Sequence, residues 1–372
     1  MPIQTAIDSI NQNQGSPFGF KNRIINGAMV IDQRNAGASV TPTTSSFGFP
    51  VDRMRIQLTQ NSKLTAQQNA GAITPPTGFK NYLGITSSSA YSVLAGDFFN
   101  VGQNIEGYNI ADLAWGTANA QTVTLSFKVY SSLTGTFGGA VYNDAGSRSY
   151  PFTYSIPVAN TWTTISITIA GDTSGTWQTT TATGITVNFS MGTGTTYSGT
   201  AGAWAGTYYA SATGATSVVG TNGATFYITG VQLEKGSTAT SFDYRPYGTE
   251  ISLCQRYYAK TFPIGTAPGN DITTSGALRG TAVTINASSQ IEPAATWKFP
   301  VSMRTTPSTI TLYAPGTSGH TAGQWTNDGN PGSSANARTN FAGTESTSFD
   351  NAGVLLTAGW RPIIHATADA EL

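Results

Sequence analysis

The chain is poor in charge: 10% of its 372 residues are Asp, Glu, Lys or Arg, and the formal net charge is +0. Ordinary globular proteins carry about 25% charged residues. The sequence offers no basic stripe for nucleic acid and no polybasic run for anionic lipid, so we expect no nucleic-acid partner and no membrane insertion. A surface with so little charge is easier to tolerate when much of it is buried in a permanent assembly.

Residues that commonly carry catalysis or bind metal ions are equally scarce. One cysteine, Cys254, excludes an intrachain disulfide, and the two histidines, His320 and His365, show no metal-ligand spacing. The chain has no phosphate-binding loop ending in Lys-Ser/Thr and no G-x-S-x-G elbow. Glycoside hydrolysis requires two carboxylates, and Asp172 is the only charged residue within 149–233. We therefore expect no metal, no cofactor and no enzymatic activity, and we keep polysaccharide depolymerisation as a minor alternative.

Long apolar runs are also missing. No run approaches the roughly 18 residues of a membrane span, and the first residues lack the charged and apolar segments of a secretory signal. Instead, Ile3, Ile7 and Ile10 recur on one face of a short helix, followed by a polar NQNQGSP linker. Because so short a helix is marginal alone, residues 1–20 are predicted to anchor the chain to a partner; a frayed terminus is the alternative.

Period-2 alternation is the dominant positive signal between residues 22 and 247. Val123, Leu125, Phe127 and Val129 alternate with polar residues, and the same pattern recurs around Ile56, Ile167 and Val187. Such alternation predicts antiparallel sheets with one face in solvent. With 11% aromatic residues arguing against disorder, we expect an all-β protein with an N-terminal jelly-roll β-sandwich over residues 21–247.

A second, smaller β-sandwich is expected over residues 261–372, where short strand patterns resume. Between the two domains, Glu250, Leu253, Cys254 and Tyr257 recur at helical spacing, which predicts a short connecting helix over 248–260. A change of phase at Thr229–Gly230 predicts a β-bulge. The segment 231–258 concentrates ionic groups and is interpreted as a structural seam formed by Arg245, Cys254, Arg256 and Tyr257.

Aromatic side chains in loop-like sequence are the candidate ligand-binding residues. Sugars present flat C–H faces that stack on aromatic rings, while neutral amides and hydroxyls supply hydrogen bonds. The alternatives are core packing and packing against a neighbouring subunit; core packing is favoured for Trp115, Trp162, Trp297 and Trp360, which lie on or beside strand patterns. The glycan-binding candidates are Trp177, Trp204, Tyr208, Tyr209, Trp325, Asn327 and Asp328.

Three blocks of the sequence resemble a family of tailed-phage virion proteins known as tail-fibre or tail proteins. They are NRIINGAMVIDQRNAG at 22–37, VDRMRI at 51–56, and FYITGVQLEKGSTATSFDYRPYGTEISLCQRYYAK at 226–260. The resemblance implies a jelly roll similar to carbohydrate-binding modules, a C-terminal β-domain, and a homotrimer on the virion surface, assembled in the host cytoplasm. The family commonly has Trp where this chain has Met54. If that Trp packs the sandwich, Met can fill its space; if it touches ligand, the contact is missing here.

Residue patterns and resemblance together favour a non-enzymatic bacteriophage virion protein. The leading hypothesis is a tail-fibre or receptor-binding component that recognises host surface polysaccharide or lipopolysaccharide and gains avidity from trimeric multivalency. Residues 1–20 would then bind other virion proteins. The alternative is a capsid decoration, head-fibre or tail connector protein with a purely structural role.

Overall fold

A computed structural model describes residues 20–45, 47–284, 290–316, 319–328, 330–351, 356–357 and 360–372. The predicted anchoring segment, residues 1–20, lies outside the described residues except for Phe20. The chain forms two compact units: the first comprises Met1–Val30, Gly37–Tyr247 and Leu372, and the second Ile31–Ala36 and Gly248–Glu371. Within the part that the structure describes, no helix is long and apolar enough to cross a bilayer.

The described residues of the first unit form thirteen strands. Its six-stranded sheet has the order β1-β2-β5-β10-β7-β8, its five-stranded sheet has the order β3-β4-β13-β6-β9, and β11 pairs with β12. Short 3-10 helices cover Ala70–Ala72, Gly107–Asn109, Ala111–Leu113 and Thr195–Tyr197. The strands are β1 (Gly48–Val51), β2 (Met54–Leu58), β3 (Leu64–Gln68), β4 (Leu83–Ser87), β5 (Phe98–Glu106), β6 (Val123–Ser131), β7 (Gly135–Tyr142), β8 (Ser149–Ile156), β9 (Thr163–Ile169), β10 (Thr183–Thr193), β11 (Ser198–Gly199), β12 (Ser211–Ala212) and β13 (Thr225–Lys235).

The two large sheets pack face to face around one apolar core. The ring of Phe127 on β6 lies 4.9 Å from that of Phe189 on β10 and 5.0 Å from that of Tyr154 on β8, which joins the two layers. Both large sheets are antiparallel throughout. The predicted all-β jelly-roll sandwich is therefore confirmed. Met54 lies in this core, so position 54 serves packing.

The predicted β-bulge is present in β13. The register between β13 and β6 shifts between Thr229 and Gln232, and Gly230 adopts a φ of 63°. A Cβ atom at Gly230 would lie 2.7 Å from Cζ of Phe79. Both the left-handed backbone and the close ring require glycine here.

The first described residues of this unit are fastened to its last strand. The Asn22 side chain accepts from the Leu233 amide at 3.0 Å and donates to the Val231 carbonyl at 2.9 Å. The Asp243 carboxylate accepts from the Lys21 amide at 2.9 Å, and the Arg245 guanidinium donates to the backbone carbonyls of residues 22 and 24. We call residues 21–27 with their partners on 231–245 the N-terminal clamp. Arg245, predicted to be a seam residue, thus bonds within the first unit.

The second unit is a smaller β-sandwich organised around β23, its last strand. β14 and β18 pair with the C-terminal half of β23, and β15 and β19 pair with its N-terminal end. A second set of strands continues in the order β19-β20-β21-β17-β16. The strands are β14 (Tyr258–Lys260), β15 (Leu278–Arg279), β16 (Thr281–Thr284), β17 (Gln290–Lys298), β18 (Thr309–Tyr313), β19 (Gln324–Asn327), β20 (Asn330–Asn340), β21 (Ser346–Asn351), β22 (Leu356–Thr357) and β23 (Pro362–Asp369).

The connecting segment is helical over α1 (Tyr247–Gln255). Residues 258–260, which the sequence placed in the helical connection, form β14 instead because they pair with β23. Cys254 and Tyr257 are fully buried, as expected for Cys254 from the helical spacing. Arg256 donates to the Ser302 carbonyl at 3.4 Å.

Candidate functional site

The face of the six-stranded sheet that points away from the apolar core is polar. Gln57 pairs with Asn100, and Asn100 with Ser190, so these side chains share one face across β2, β5 and β10. Phe99 and Phe189 lie on the opposite face, in the core. The polar half of the alternation therefore points away from the core on what we call the outer face, where Asn100 and Ser190 are themselves buried.

A pocket of about 490 Å³ opens on the outer face, beside β2 and β5. Its volume falls in the range of small-molecule sites. Phe47 is 44% exposed and presents its ring at this pocket. No lining residue is charged. The lining residues of this Phe47 pocket are Thr43, Thr44, Ser45, Phe47, Gln57, Leu58, Thr59 and Phe98.

A row of aromatic rings extends from the Phe47 pocket. Phe98, a lining residue, lies 5.3 Å from Tyr197; Tyr197 lies 5.6 Å from Tyr208; and Tyr208 lies 5.0 Å from Tyr142. Burial raises the pKa of Tyr208, so its hydroxyl stays protonated and neutral. We call these four rings the aromatic row; its far end, Tyr142, is buried.

Arg55 contacts both the Phe47 ring at the pocket and Tyr142 at the far end of the aromatic row. Its guanidinium lies 4.9 Å from the centroid of the Phe47 ring, and Nη2 is 3.4 Å from the Tyr142 hydroxyl. A cation over an aromatic face contributes about 0.5–1 kcal/mol at an exposed site. Arg55 therefore holds the Phe47 ring in place and fixes one wall of the pocket.

Asn100 is the one strongly buried amide beside the pocket whose side chain bonds to nothing in the described structure. It is 2% exposed, and neither Oδ1 nor Nδ2 has a hydrogen-bond partner. Leaving a buried polar group unsatisfied costs about 1–3 kcal/mol. Its neighbours across the strands, Gln57 and Ser190, are polar too. A hydroxyl-rich ligand that reached Asn100 would satisfy both amide atoms.

A hydrogen-bonded carboxylate supports the pocket rim. Asp97 accepts from Thr59 at 2.9 Å, Gln60 at 3.1 Å, the Tyr91 hydroxyl at 2.7 Å and the Leu94 amide at 3.0 Å. Burial alone would raise the pKa of Asp97, but these four hydrogen bonds outweigh it and lower the pKa. The carboxylate stays ionised and orients Thr59, whereas a general acid requires a raised pKa.

The tryptophans predicted as ligand contacts in the first unit pack on one another instead. Trp115, Trp177 and Trp204 form an edge-to-face cluster with centroid separations of 4.7, 5.3 and 5.5 Å. Trp177 belongs to the core and donates to the Ser174 carbonyl at 3.2 Å. Trp177 lies outside helix and strand, as its loop-like sequence indicated, but neighbouring rings cover it. Trp204 is half-buried and bonds the Ala170 carbonyl at 2.8 Å.

The two predicted tyrosines have different surroundings. Tyr208 belongs to the aromatic row, so it is the sequence candidate that lies in the site. Tyr209 packs on Gly199, where a Cβ atom would lie 2.3 Å from its ring. The sequence missed Phe47, Phe98 and Asn100; the polar half of the β2 and β5 alternation was the signal that pointed to this face.

In the second unit, Trp325 is fully buried within β19 and donates to the Asp350 carbonyl at 3.1 Å. Its predicted loop position was wrong, because β19 pairs with both β20 and β23. Asn327 accepts from the Arg361 amide at 3.0 Å, and Asp328 pairs with Arg279 at 2.6 Å. Among the residues described, no group of three or more His, Cys, Asp or Glu side chains is arranged to hold a metal ion.

No family model and no curated protein matches this chain. Among solved structures, it is similar to the enzymatically active domain of tailspike protein 4 of bacteriophage CBA120, with 14% identity and a TM-score of 0.32, over 58% of this chain and 21% of that chain. This chain thus spans about a fifth of that domain's length, 21%.

Two further structures are carbohydrate-binding modules. The family 11 module of a cellulosomal cellulase from Clostridium thermocellum has 14% identity and a TM-score of 0.27, over 55% of this chain and 98% of that chain. The tandem CBM22 domain from Paenibacillus barcinonensis has 9% identity and a TM-score of 0.25, over 90% of each chain. At these identities and TM-scores, function has to be argued from the residues of this chain.

Proposed function

We propose that the first unit is a non-enzymatic carbohydrate-binding module whose site is the Phe47 pocket together with the aromatic row. The observation that carries the proposal is an uncharged pocket with an exposed ring, Phe47, beside a buried amide without a partner, Asn100. Stacking on Phe47 would hold a sugar ring, and Gln57, Thr59 and Asn100 would bond its hydroxyls. The pocket lining carries no charge, and the Arg55 cation is engaged by the Phe47 ring and the Tyr142 hydroxyl, so the ligand that we propose is a neutral glycan.

The wider role that we propose is that of a bacteriophage virion protein, as a tail-fibre or receptor-binding component that recognises host surface polysaccharide or lipopolysaccharide. The three sequence blocks at 22–37, 51–56 and 226–260 support this role, as does a chain with only 10% charged residues, which suits permanent assembly. We further propose a homotrimer attached to other virion proteins through residues 1–20. Three copies of one weak glycan site would raise avidity by orders of magnitude.

Binding of the full chain to a panel of neutral oligosaccharides and host-cell polysaccharides, measured by isothermal titration calorimetry, tests the site. Phe47→Ala should weaken binding by about tenfold or more, which is about 1.4 kcal/mol. Tyr108→Ala is the matched control, because Tyr108 is 62% exposed in the same unit and does not line the pocket. Equal losses in both variants, or no glycan binding by the parent chain, would refute the site.

The non-enzymatic role has a separate measurement. Incubation of the full chain with a bound host polysaccharide should release no new reducing ends over hours, whereas a depolymerase would release them continuously. Steady release that survives Phe47→Ala would replace binding with catalysis as the function.

A further inference from the structure

The second unit carries the most exposed large apolar side chain described in the protein, Phe341. It is 91% exposed and lies just after β20, in the turn that leads to β21. Its φ is 48°, in the left-handed region that bulky residues rarely adopt. Strained backbone positions of this kind cluster at ligand sites. Here the turn holds a ring in solvent at the edge of a pocket.

That pocket has a volume of about 420 Å³ and a floor of small side chains. Thr296 pairs with Ser348, and Ser348 with Asn340, so these residues share the solvent face of β17, β21 and β20. Ala295 and Phe349 point the other way, into the core. The lining residues of this Phe341 pocket are Arg279, Ala294, Ala295, Thr296, Asn340, Phe341, Ser348, Phe349 and Asp350.

The charged groups at the Phe341 pocket are not equivalent. Both oxygens of Asp350 accept hydrogen bonds, from Arg338 at 2.6 and 3.2 Å and from the Asn340 amide. The Arg279 side chain is 60% exposed, and among the described residues its one hydrogen bond runs from Nη2 to Asp328 at 2.6 Å. A guanidinium has five N–H donors, so Arg279 keeps donors for an anion while Asp350 is already engaged.

We propose that the Phe341 pocket binds an acidic saccharide. One sugar ring stacks on Phe341, its carboxylate accepts hydrogen bonds from Arg279, and the Thr296 hydroxyl bonds a ring hydroxyl. Arginine favours planar carboxylates, which it can bond at two oxygens. The site lies wholly in the second unit, takes a different ligand class from the Phe47 pocket and stands independently of it.

Calorimetric titration of the full chain with tetragalacturonate, a hyaluronan tetrasaccharide and sialyllactose tests the proposal, each probe paired with its carboxyl methyl ester. At least one acid should bind about tenfold or more tightly than its ester, and Arg279→Gln should remove that difference. Raising salt should weaken binding of the acid but not of the ester. Equal binding of acid and ester, or no binding of any acid, would overturn the proposal.

Phe341→Gly separates ligand contact from stability. Glycine adopts a φ of 48° without strain, so the variant should unfold at the same or a higher temperature while losing about tenfold or more in affinity for the acid. Phe341→Tyr should retain binding. Full affinity in Phe341→Gly would contradict the stacking role. Phe47→Ala should leave acid binding unchanged, which keeps a failure of the first site distinct from a failure of this one.

Discussion

Acidification should destabilise the second unit through His365. This side chain is fully buried, with its ring 3.9 Å from that of Phe262, Nδ1 2.7 Å from the Thr261 hydroxyl and Nε2 3.2 Å from the Thr273 carbonyl. Burial lowers the pKa of His365 from 6.5 to about 4, against the raising effect of the Thr273 carbonyl. Between these values the unfolded chain binds a proton that the folded unit excludes, so stability falls as pH falls.

The structure sets the size of this effect. A pKa difference of roughly 2.5 units corresponds to about 3 kcal/mol in the free energy of unfolding. The loss should begin as pH falls below 6.5 and be nearly complete at about pH 4. Asp271 has a pKa below its ordinary 3.8: desolvation would raise it, but hydrogen bonds from His320 outweigh this. Its contribution is therefore lost at still lower pH.

Urea unfolding followed by pulsed hydrogen exchange at one fixed labelling pH resolves the two units. Peptides from β18 and β23 should show a free energy of unfolding lower by about 3 kcal/mol at pH 4 than at pH 7.5. His365→Gln should flatten this dependence, whatever it costs at pH 7.5. A parental slope near zero between pH 6.5 and 4, or an unchanged slope in His365→Gln, would refute the reasoning.

Three further outcomes are expected. Gly230→Ala should lower the free energy of unfolding of the first unit by about 2 kcal/mol or more, because it combines left-handed backbone strain with a close contact to Phe79. Gly223 has a φ of 74° but no atom within 4 Å of an added Cβ, so the control Gly223→Ala should cost only the backbone strain. Equal losses of the two variants in urea titrations would argue against the Phe79 contact. Asn100→Ala should change stability by less than about 1 kcal/mol, because no hydrogen bond is lost, yet weaken glycan binding measurably by calorimetry; unchanged binding would remove Asn100 from the site. Asp97 stabilises the folded state above its ordinary pKa of 3.8, and this contribution is lost as pH falls through its lowered folded-state pKa. Asp97→Asn should therefore reduce the fall in stability below pH 4. An unchanged dependence of the thermal unfolding temperature on pH below 4 would contradict this.

The strands were predictable because alternation is a local property. A sheet with one buried face imposes period 2 on its own residues, as β2 and β6 show, and a bulge breaks that period where Gly230 sits. The same logic predicted the buried position of Cys254 from helical spacing. These features depend on residues a few positions apart, which a single sequence displays directly.

The proposed binding surface was much less predictable because it joins distant residues. Gln57 and Asn100 become neighbours only because β2 pairs with β5 in this register. Phe47, which precedes β1, lines the same pocket as Gln57. Trp177 and Trp325 lie in glycine-rich sequence that reads as loop, yet tertiary packing buries both. A glycine near a tryptophan can mark an exposed loop, or it can allow other chain segments to pack closely against the ring. Composition alone could therefore not distinguish an exposed tryptophan from a buried one.

The N-terminal clamp decides which part of the first unit carries mechanical load. Tension between residue 21 and Tyr247 would run through the hydrogen bonds that join residues 21–27 to Val231, Leu233, Asp243 and Arg245. The same segment also reaches the six-stranded sheet, because the Gln103 side chain on β5 accepts from the Ile25 amide at 2.8 Å and donates to the Ile25 carbonyl at 2.7 Å. A pull at both ends of this unit would therefore load β5 as well as the end of β13, so the clamp couples the chain ends to the sheet that carries the outer face.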